Sequence, residues 1–241
     1  MTETPQVLLT HYLKTLKLPT FLKEYGKVAQ QCAVEGVDYE SFLLRLSEQE
    51  LIDRQRRMVE RRIKQAKFPT LKSLDSFNFT VIPSLFTVIP SLNKAQVMEL
   101  ARCEYVDRKE NIMLLGNSGT GKSHIATGLG LAACQKGLPV LFTTTASLSN
   151  ELMEAKDERR LLRLQRQLAR NKLLIVDELG FVPLSKTGAE LLFEVFSQRY
   201  ERSSVILTSN LPFDEWTEIF GSERLTGALL DRIINMSTFL K

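Results

Sequence analysis

A glycine-rich segment that ends in a lysine and a serine is the strongest candidate for chemistry in this 241-residue sequence. Its residues fit the pattern G-x-x-x-x-G-K-[ST] in full, in the order Gly116, Asn117, Ser118, Gly119, Thr120, Gly121, Lys122 and Ser123. Glycines let the backbone fold tightly with its N–H groups pointing inward, and such an array favours phosphate. We expect Lys122 to reach the β- and γ-phosphates of ATP and Ser123 to bind Mg²⁺. His124 follows directly and is grouped with the binding loop, although we see no catalytic role for it.

Carboxylates and an amide stand at the ends of two apolar runs. Asp177 and Glu178 follow Leu173–Val176, and Asn210 comes shortly after Val205–Thr208. Such runs predict buried strands, and ligands bind at the carboxyl edge of open α/β sheets. We expect Asp177 to hold Mg²⁺, Glu178 to orient and deprotonate an attacking water, and Asn210 to hold that water. The alternatives are a helix cap for the carboxylates and a turn residue for the amide.

Two arginines near the end of the chain are candidates for a residue that acts across a subunit interface. Arg224 and Arg232 lie in the segment SERLTGALLDR. An arginine from an adjacent subunit would neutralise charge that develops on the γ-phosphate. A surface salt bridge with Glu223 or Asp231 is an equal competitor, and the sequence does not separate the two interpretations.

Strands that alternate with helices must position these residues. Apolar runs predict strands at Asn111–Leu115, Pro139–Thr143, Leu173–Val176 and Val205–Thr208. Helices are expected at Lys94–Arg102 and from Ser123 to Gln135. This alternation predicts an α/β domain over residues 93–241, with a parallel sheet covered by helices on both faces.

The first part of the chain has a different pattern and predicts a small all-helical domain at residues 1–68. Apolar residues recur there at the helical period, with breaks after Leu18 and near Gly36. Residues 69–92 are interpreted as a linker, because prolines punctuate them and the segment FTVIPSL occurs twice in tandem at residues 79–92. One short duplication is too small for a repeat architecture, so we interpret it as a lengthened connector.

Two predicted helical segments are rich in basic residues: the last part of the third N-terminal helix, at residues 54–67, and a second basic helix over residues 156–172. Apolar residues at helical spacing indicate that one stripe of each helix packs inward. The basic face of the first either is solvated or contacts nucleic-acid phosphates. The basic face of the second is either solvated or in contact with DNA or a neighbouring subunit.

Composition indicates an ordinary globular chain, with 44% hydrophobic and 25% charged residues and a net charge of +4. The cysteines, Cys32, Cys103 and Cys134, are widely and irregularly spaced without nearby histidines, so we expect free thiols rather than a zinc site. The N-terminus lacks the pattern of a secretory signal, and no apolar run reaches the length of a membrane span. A cytoplasmic protein without a membrane partner is therefore expected.

The motifs, in this order and spacing, resemble those of AAA+ ATPases and more closely those of the IstB family, the ATP-dependent helpers of an insertion-sequence transposase. The likeness is carried by LLGNSGTGKSH, VDELGF, QRYER, TSNLPFDEW and SERLTGALLDR. The phosphate-binding loop is common to many proteins, whereas TSNLPFDEW is far more specific. The likeness includes the helical N-terminal region and so spans most of the chain.

This resemblance implies an ATPase that uses ATP and Mg²⁺ and binds duplex DNA with little sequence preference. It also implies a homo-oligomer formed through AAA+ domains, which recruits and stimulates a transposase that itself cuts and joins the DNA. The related DnaC helicase loaders share the ATPase core, so a loader of a replicative helicase is one alternative. A remnant that binds nucleotide or DNA without hydrolysis is another.

Two features depart from the family pattern. The first is the duplication at residues 79–92, and the second is the C-terminus, where Arg232 is followed only by IINMSTFLK. The family normally continues through a final strand and a tail that often carries a nucleotide-sensing arginine. We therefore expect the sheet to lack a proper last strand and hydrolysis or assembly to be impaired.

Overall fold

The computed structural model of this chain describes residues 5–79, 93–234 and 237–240. The chain divides into two compact units at Glu60 and Arg61, within a long helix. The domain boundaries placed at residues 68 and 92 stay predictions, and the duplication lies, apart from Phe79, outside the described residues. Within the described ranges no helix combines the length and the apolar character needed to cross a membrane.

The first unit is helical, which confirms the predicted N-terminal region. Its helices are α1 (Pro5–Thr15), α2 (Pro19–Glu35) and α3 (Tyr39–Ala66), the last of which continues into the second unit. Proline suits the first turn of α2 because no helical partner is needed for its missing N–H. The helix ends at Gly36, whose left-handed conformation (φ 68°) lets its N–H bond to the Cys32 carbonyl.

The second unit is a parallel α/β fold, as predicted. Its strands are β1 (Asn111–Leu115), β2 (Val140–Thr144), β3 (Leu173–Leu179), β4 (Ser204–Ser209) and β5 (Ser237–Leu240). Within the described residues they pair in parallel in the order β2-β3-β4-β1-β5. All four predicted strands are therefore present, and the carboxyl ends of β3, β4 and β1 lie side by side.

Helices cover both faces of this sheet. They are α4 (Lys94–Leu100), α5 (Glu104–Asp107), α6 (Lys122–Gln135), α7 (Thr145–Asp157), α8 (Leu161–Ala169), α9 (Lys186–Arg199), α10 (Trp216–Phe220) and α11 (Glu223–Ile234). On one face, residues such as Leu129 and Tyr105 pack in a core that includes Ile112; on the other, Leu192 and Trp216 pack in a core that includes Met113. Because both faces are buried, the strands are continuously apolar rather than alternating.

The prediction of one basic helix over residues 156–172 is wrong, because α7 ends at Asp157 and α8 starts at Leu161. Arg159 adopts a left-handed conformation with φ of 57°. This reversal lets the Arg160 N–H bond to the Ala155 carbonyl at 2.8 Å, which closes the end of α7. The basic residues are thus divided between the end of one helix and the whole of the next.

The expectation that the sheet lacks a last strand is also wrong. Residues Ser237–Leu240 form β5, which pairs in parallel with β1 from Asn111↔Ser237 to Leu114↔Leu240. Leu240 is buried in the same core as Ile112, and the Asn111 side chain donates to the Ile233 carbonyl at 3.2 Å. A strand of four residues suffices here because the edge of β1 supplies its hydrogen-bond partners.

Candidate functional site

The glycine-rich loop connects β1 to α6 at the carboxyl edge of the sheet. Gly116, Gly119 and Gly121 have φ of 147°, 81° and 88°, conformations that residues with a Cβ rarely adopt. Gly121 directly precedes Lys122, the first residue of α6, and within the described residues no side chain caps this helix end. The first N–H groups of α6 and the loop amides after Gly116, whose own N–H bonds to the Ser209 carbonyl, are thus available to bind phosphate.

Lys122 lies across the loop. Its Nζ donates to the carbonyl oxygens of Gly116 at 2.6 Å and Asn117 at 2.7 Å. Partial burial lowers the pKa of Lys122, and the nearby Asp177 carboxylate opposes that shift. The ammonium group is therefore held at the start of the loop by the Gly116 and Asn117 carbonyls.

Ser123 and Asp177 form a pair of oxygen ligands. The Ser123 hydroxyl donates to Asp177 Oδ1 at 3.0 Å, and Asp177 is 5% exposed. A hydroxyl beside a carboxylate at the edge of the phosphate-binding loop is the donor set that holds Mg²⁺ in P-loop nucleoside triphosphatases. The residues present therefore fit the predicted Mg²⁺ site.

Glu178 is exposed, unlike its neighbour Asp177, because β3 is irregular at this point. The pairing of β3 with β4 shifts between Val176 and Leu179, and Glu178 has a φ of 63°. Such bulges occur next to active sites and redirect a side chain, and left-handed non-glycine residues cost about 1–3 kcal/mol. The surrounding structure thus maintains a strained conformation that turns the Glu178 carboxylate away from the core.

Thr208 joins the two carboxylate residues, and the sequence interpretation missed it. Its hydroxyl donates to Asp177 Oδ1 and accepts the Glu178 backbone N–H at 3.0 Å. A buried threonine at the end of an otherwise apolar strand was the available signal, but its partners depend on β4 lying beside β3. Asn210, which the sequence favoured, lies just past the end of β4, half-exposed, and its role stays a prediction.

The structure separates the two arginines from this cluster. Arg224 and Arg232 line a cleft of about 730 Å³ between α9, α10 and α11. Among the described residues, its lining includes neither the phosphate-binding loop nor Asp177 and Glu178. The Arg232 guanidinium stacks 4.9 Å from the Phe193 ring centroid and donates to the Ala228 carbonyl at 3.0 Å. Arg224 is exposed, and neither arginine forms an ion pair within the described part of the chain.

His124 lies on the first turn of α6 and is held by side chains and backbone outside the loop. Its Nε2 is 2.8 Å from the Ser73 carbonyl oxygen, and its ring packs edge-to-face on Phe77 with a centroid distance of 5.1 Å. Within the described residues, its hydrogen-bonding and ring partners are Ser73, Ser76 and Phe77, which are neither loop residues nor carboxylates. Its assignment to the binding loop stays a prediction, and its contacts indicate a packing role.

The two basic segments differ in how their charges are neutralised. On α3, Arg54 and Arg57 pair with the buried Glu50, and Arg56 pairs with Asp53. Exposed basic residues of α8 and its flanks have no carboxylate partner within the described residues; they are Arg159, Arg163, Arg166, Arg170 and Lys172. At the end of α3 the exposed Arg61, Lys64 and Lys67 likewise have no carboxylate partner within the described residues, so the surface on α8 has five unpaired exposed basic residues against three there.

Comparison with known proteins gives a consistent result. Residues 11–241 match the family model described as IstB-like ATP binding protein. The "Insertion sequence IS21 putative ATP-binding protein" of Pseudomonas aeruginosa is 39% identical over 95% of this chain and 83% of that protein. The corresponding IS5376 protein of Geobacillus stearothermophilus is 36% identical over 94% of this chain and 87% of that protein.

Similar solved structures are AAA+ proteins of DNA replication. AMPPCP-bound DnaA from Aquifex aeolicus has a TM-score of 0.57 at 18% identity, covering 73% of this chain and 51% of that chain. DnaI has a TM-score of 0.56 at 14% identity, and the match covers 70% of this chain and 91% of that chain. The DnaC helicase loader has a TM-score of 0.52 at 20% identity, and the match covers 61% of this chain and 85% of that chain. At these identities the likeness establishes the fold alone.

Proposed function

This chain belongs to the IstB-like ATP-binding protein family of insertion sequences, and we propose that it binds ATP to assemble on duplex DNA, recruits and stimulates a partner transposase, and hydrolyses the ATP to release or remodel the complex. The observation that carries the ATPase proposal is the hydrogen-bonded set of Ser123, Asp177 and Thr208, with Glu178 exposed beside it. A glycine-rich loop that did not bind nucleotide would have no need for a buried carboxylate, Asp177, hydrogen-bonded to the serine that follows its lysine.

Hydrolysis would follow from the positions of these groups. The loop amides and Lys122 bind the phosphates and balance their charge. Ser123 and Asp177 would hold Mg²⁺, which screens the β- and γ-phosphate oxygens when it is bound. Glu178, turned out of the strand, accepts a proton from the attacking water, and Asn210 orients that water.

An arginine from a neighbouring copy would complete the site. Arg232 is the better candidate of the two, because stacking on Phe193 and the bond to Ala228 restrict its guanidinium to a narrow range of orientations. Arg224 is exposed and retains more side-chain freedom, which costs more to order on assembly. Homo-oligomers formed through the α/β units would then be required for full turnover.

The α8 surface is the proposed contact with duplex DNA. Arg163, Arg166 and Arg170 lie at helical spacing on one side of α8, whereas Leu164 and Leu168 are buried on the other. Arginines arranged in this way bind phosphates without reading bases, which suits binding with little sequence preference. The ion-paired arginines of α3 are less suited, because they would have to exchange existing carboxylate partners.

The decisive test measures ATP turnover and DNA binding together. Wild-type protein is expected to hydrolyse ATP faster with duplex DNA, and Lys122→Ala is expected to abolish both nucleotide binding and turnover. Electron microscopy with ATP and DNA should show assemblies that Lys122→Ala does not form. DNA-stimulated turnover that survives Lys122→Ala would contradict the proposed site.

A matched pair of charge variants tests the DNA surface. The double variant Arg163→Ser, Arg166→Ser should reduce the magnitude of the slope of log affinity against log salt by about 2, since each phosphate contact contributes roughly 0.9. The control is Lys23→Ser, Lys27→Ser, which removes two highly exposed charges of α2. If the two double variants change the salt slope equally, α8 has no specific role in binding DNA.

A helicase loader is the alternative that the fold also permits, because DnaC and DnaI share it. Binding assays with the transposase from the same insertion sequence and with a replicative helicase separate the two functions. A remnant without turnover is the other alternative, but β5 completes the sheet on the far side of β1 and removes one reason for expecting impaired hydrolysis. Turnover by the wild-type chain would exclude it.

A further inference from the structure

The segment that follows α3 runs along α6 and reaches the phosphate-binding loop. We call residues 68–79 the strap. Phe68 packs at Gly130, Leu74 at Gly128 and Phe77 at Gly121, so the strap runs from the C-terminal half of α6 to its N-terminal end. A Cβ atom at Gly128 would lie 2.6 Å from Leu74, and one at Gly121 would lie 2.5 Å from Phe77, so the glycines allow close approach.

The end of the strap is fastened to the first turn of α6 through His124. The imidazole Nε2 is 2.8 Å from the Ser73 carbonyl and 3.2 Å from the Ser76 hydroxyl. A carbonyl only accepts, so Nε2 carries a proton and donates it. The Ser76 hydroxyl also donates to the Ser73 carbonyl at 2.8 Å, and the Phe77 ring meets the imidazole edge-to-face.

This contact bears on the residue whose conformation starts the helix. Gly121 lies between the loop and α6 with a φ of 88°. It is the N-cap residue of α6, and within the described residues no side chain caps this end of the helix. The Phe77 ring covers one side of Gly121 and limits the backbone conformations that are open to it. Phosphate binding needs the amides on both sides of Gly121 in one arrangement, so a ring that stabilises that arrangement strengthens binding.

We infer that the strap, through Phe77 and His124, is a positioning element for the phosphate-binding loop. The inference rests on the proposed binding of ATP at that loop. Docking of the strap and binding of the nucleotide then favour each other, because each stabilises the same conformation of Gly121. Thermodynamic linkage makes the effect reciprocal: nucleotide must strengthen docking by the same factor by which docking strengthens nucleotide binding.

Two readouts measure the two sides of this linkage. Binding of a fluorescent ATP analogue with Mg²⁺ gives the nucleotide Kd, and trypsin cleavage after the exposed Lys72 reports undocking of the strap. In the wild-type protein, saturating AMPPNP with Mg²⁺ is expected to slow this cleavage about 10-fold. Phe77→Ala should raise the Kd about 10-fold and remove the protection, while kcat at saturating ATP stays within about 3-fold of wild type.

Controls separate positioning from loss of the fold. Leu71→Ala removes an exposed apolar side chain of the same strap and should change neither the Kd nor the protection. Phe77→Leu keeps apolar bulk over Gly121 and should restore most of the affinity that Phe77→Ala loses. His124→Ala should weaken protection by nucleotide, because it removes the attachment of Ser73 and Ser76 to α6.

The outcomes that overturn the inference differ from those that overturn the proposed function. Wild-type protein that binds no nucleotide would refute both the proposed ATPase function and the role of the strap. Wild-type protein that binds and hydrolyses ATP but gains no protection at Lys72 would leave the ATPase standing and refute the role of the strap. So would a folded Phe77→Ala protein with wild-type Kd.

Discussion

Thr208 connects the two carboxylate residues of the site, so its hydroxyl can be removed to test the arrangement with the smallest change in shape. In Thr208→Val the side chain keeps its volume and loses only the group that contacts Asp177 and the Glu178 N–H. Thr208 is 1% exposed and Asp177 is 5% exposed, so water has little access to replace the lost bonds.

The expected loss of stability follows from these contacts. A hydrogen bond to a charged group contributes about 1.5–3 kcal/mol, and a buried polar group left without a partner costs about 1–3 kcal/mol. Ser123 still donates to Asp177, and the extra methyl group of valine regains some apolar burial, so the two terms do not add in full. We expect the free energy of unfolding to fall by about 2–3 kcal/mol.

Urea unfolding and ATP turnover provide the assay. Groups that orient a metal ligand typically contribute about 10–100-fold, so kcat/KM for ATP should fall by that factor in Thr208→Val. Thr208→Ser is the matched control, because it keeps the hydroxyl and should retain most of the activity despite losing a methyl group. Its stability loss should come from packing alone.

The opposite pattern would refute the reasoning. If Thr208→Val unfolds at the wild-type urea concentration and turns over ATP at the wild-type rate, the hydroxyl neither stabilises nor orients Asp177. If the serine and valine variants lose equal activity, packing of the methyl group is responsible and the hydrogen bonds are not.

Three other expectations follow. Glu178→Gln should lower kcat about 100-fold or more and keep nucleotide affinity, since only the base is lost; wild-type turnover would remove Glu178 from the mechanism. Arg232→Ala should lower kcat by about 10³-fold. An equal mixture with Glu178→Gln should regain activity if the arginine acts in trans, and no recovery would exclude this. Burial raises the pKa of the Cys134 thiol to about 11 from its ordinary 9.0, so between these pH values the folded state keeps a proton that the unfolded state loses. The free energy of unfolding should therefore fall between about pH 9 and 11. Ellman's reagent at pH 8 should modify Cys134 only after unfolding, because the buried thiol stays protonated in the folded state.

Much of the site was predictable because its signals are local. The loop Gly116–Ser123 needs left-handed glycines between a strand and a helix, and both neighbours have distinctive apolar patterns. Asp177 and Glu178 end a run of residues that is apolar because both faces of a parallel strand are buried. Such constraints act between residues that are close in sequence, so they can be recognised without coordinates.

The errors concern relations between distant segments. β5 is short and has a weak pattern of its own, and it exists because β1 offers an unpaired edge. The break between α7 and α8 follows from the left-handed conformation of Arg159. Arginine rarely adopts this conformation, so the residue type did not predict it. Periodicity records burial on average and says little about either event.

The sequence by itself determined that this chain carries a phosphate-binding loop, an acidic pair and a parallel α/β fold. The tertiary structure alone decided that Thr208, and not the more prominent Asn210, contacts both Asp177 and Glu178. It also decided that His124 holds the strap. The physical reason is that strand order and helix packing bring together residues far apart in the chain, and hydrogen bonds form between the groups that meet there.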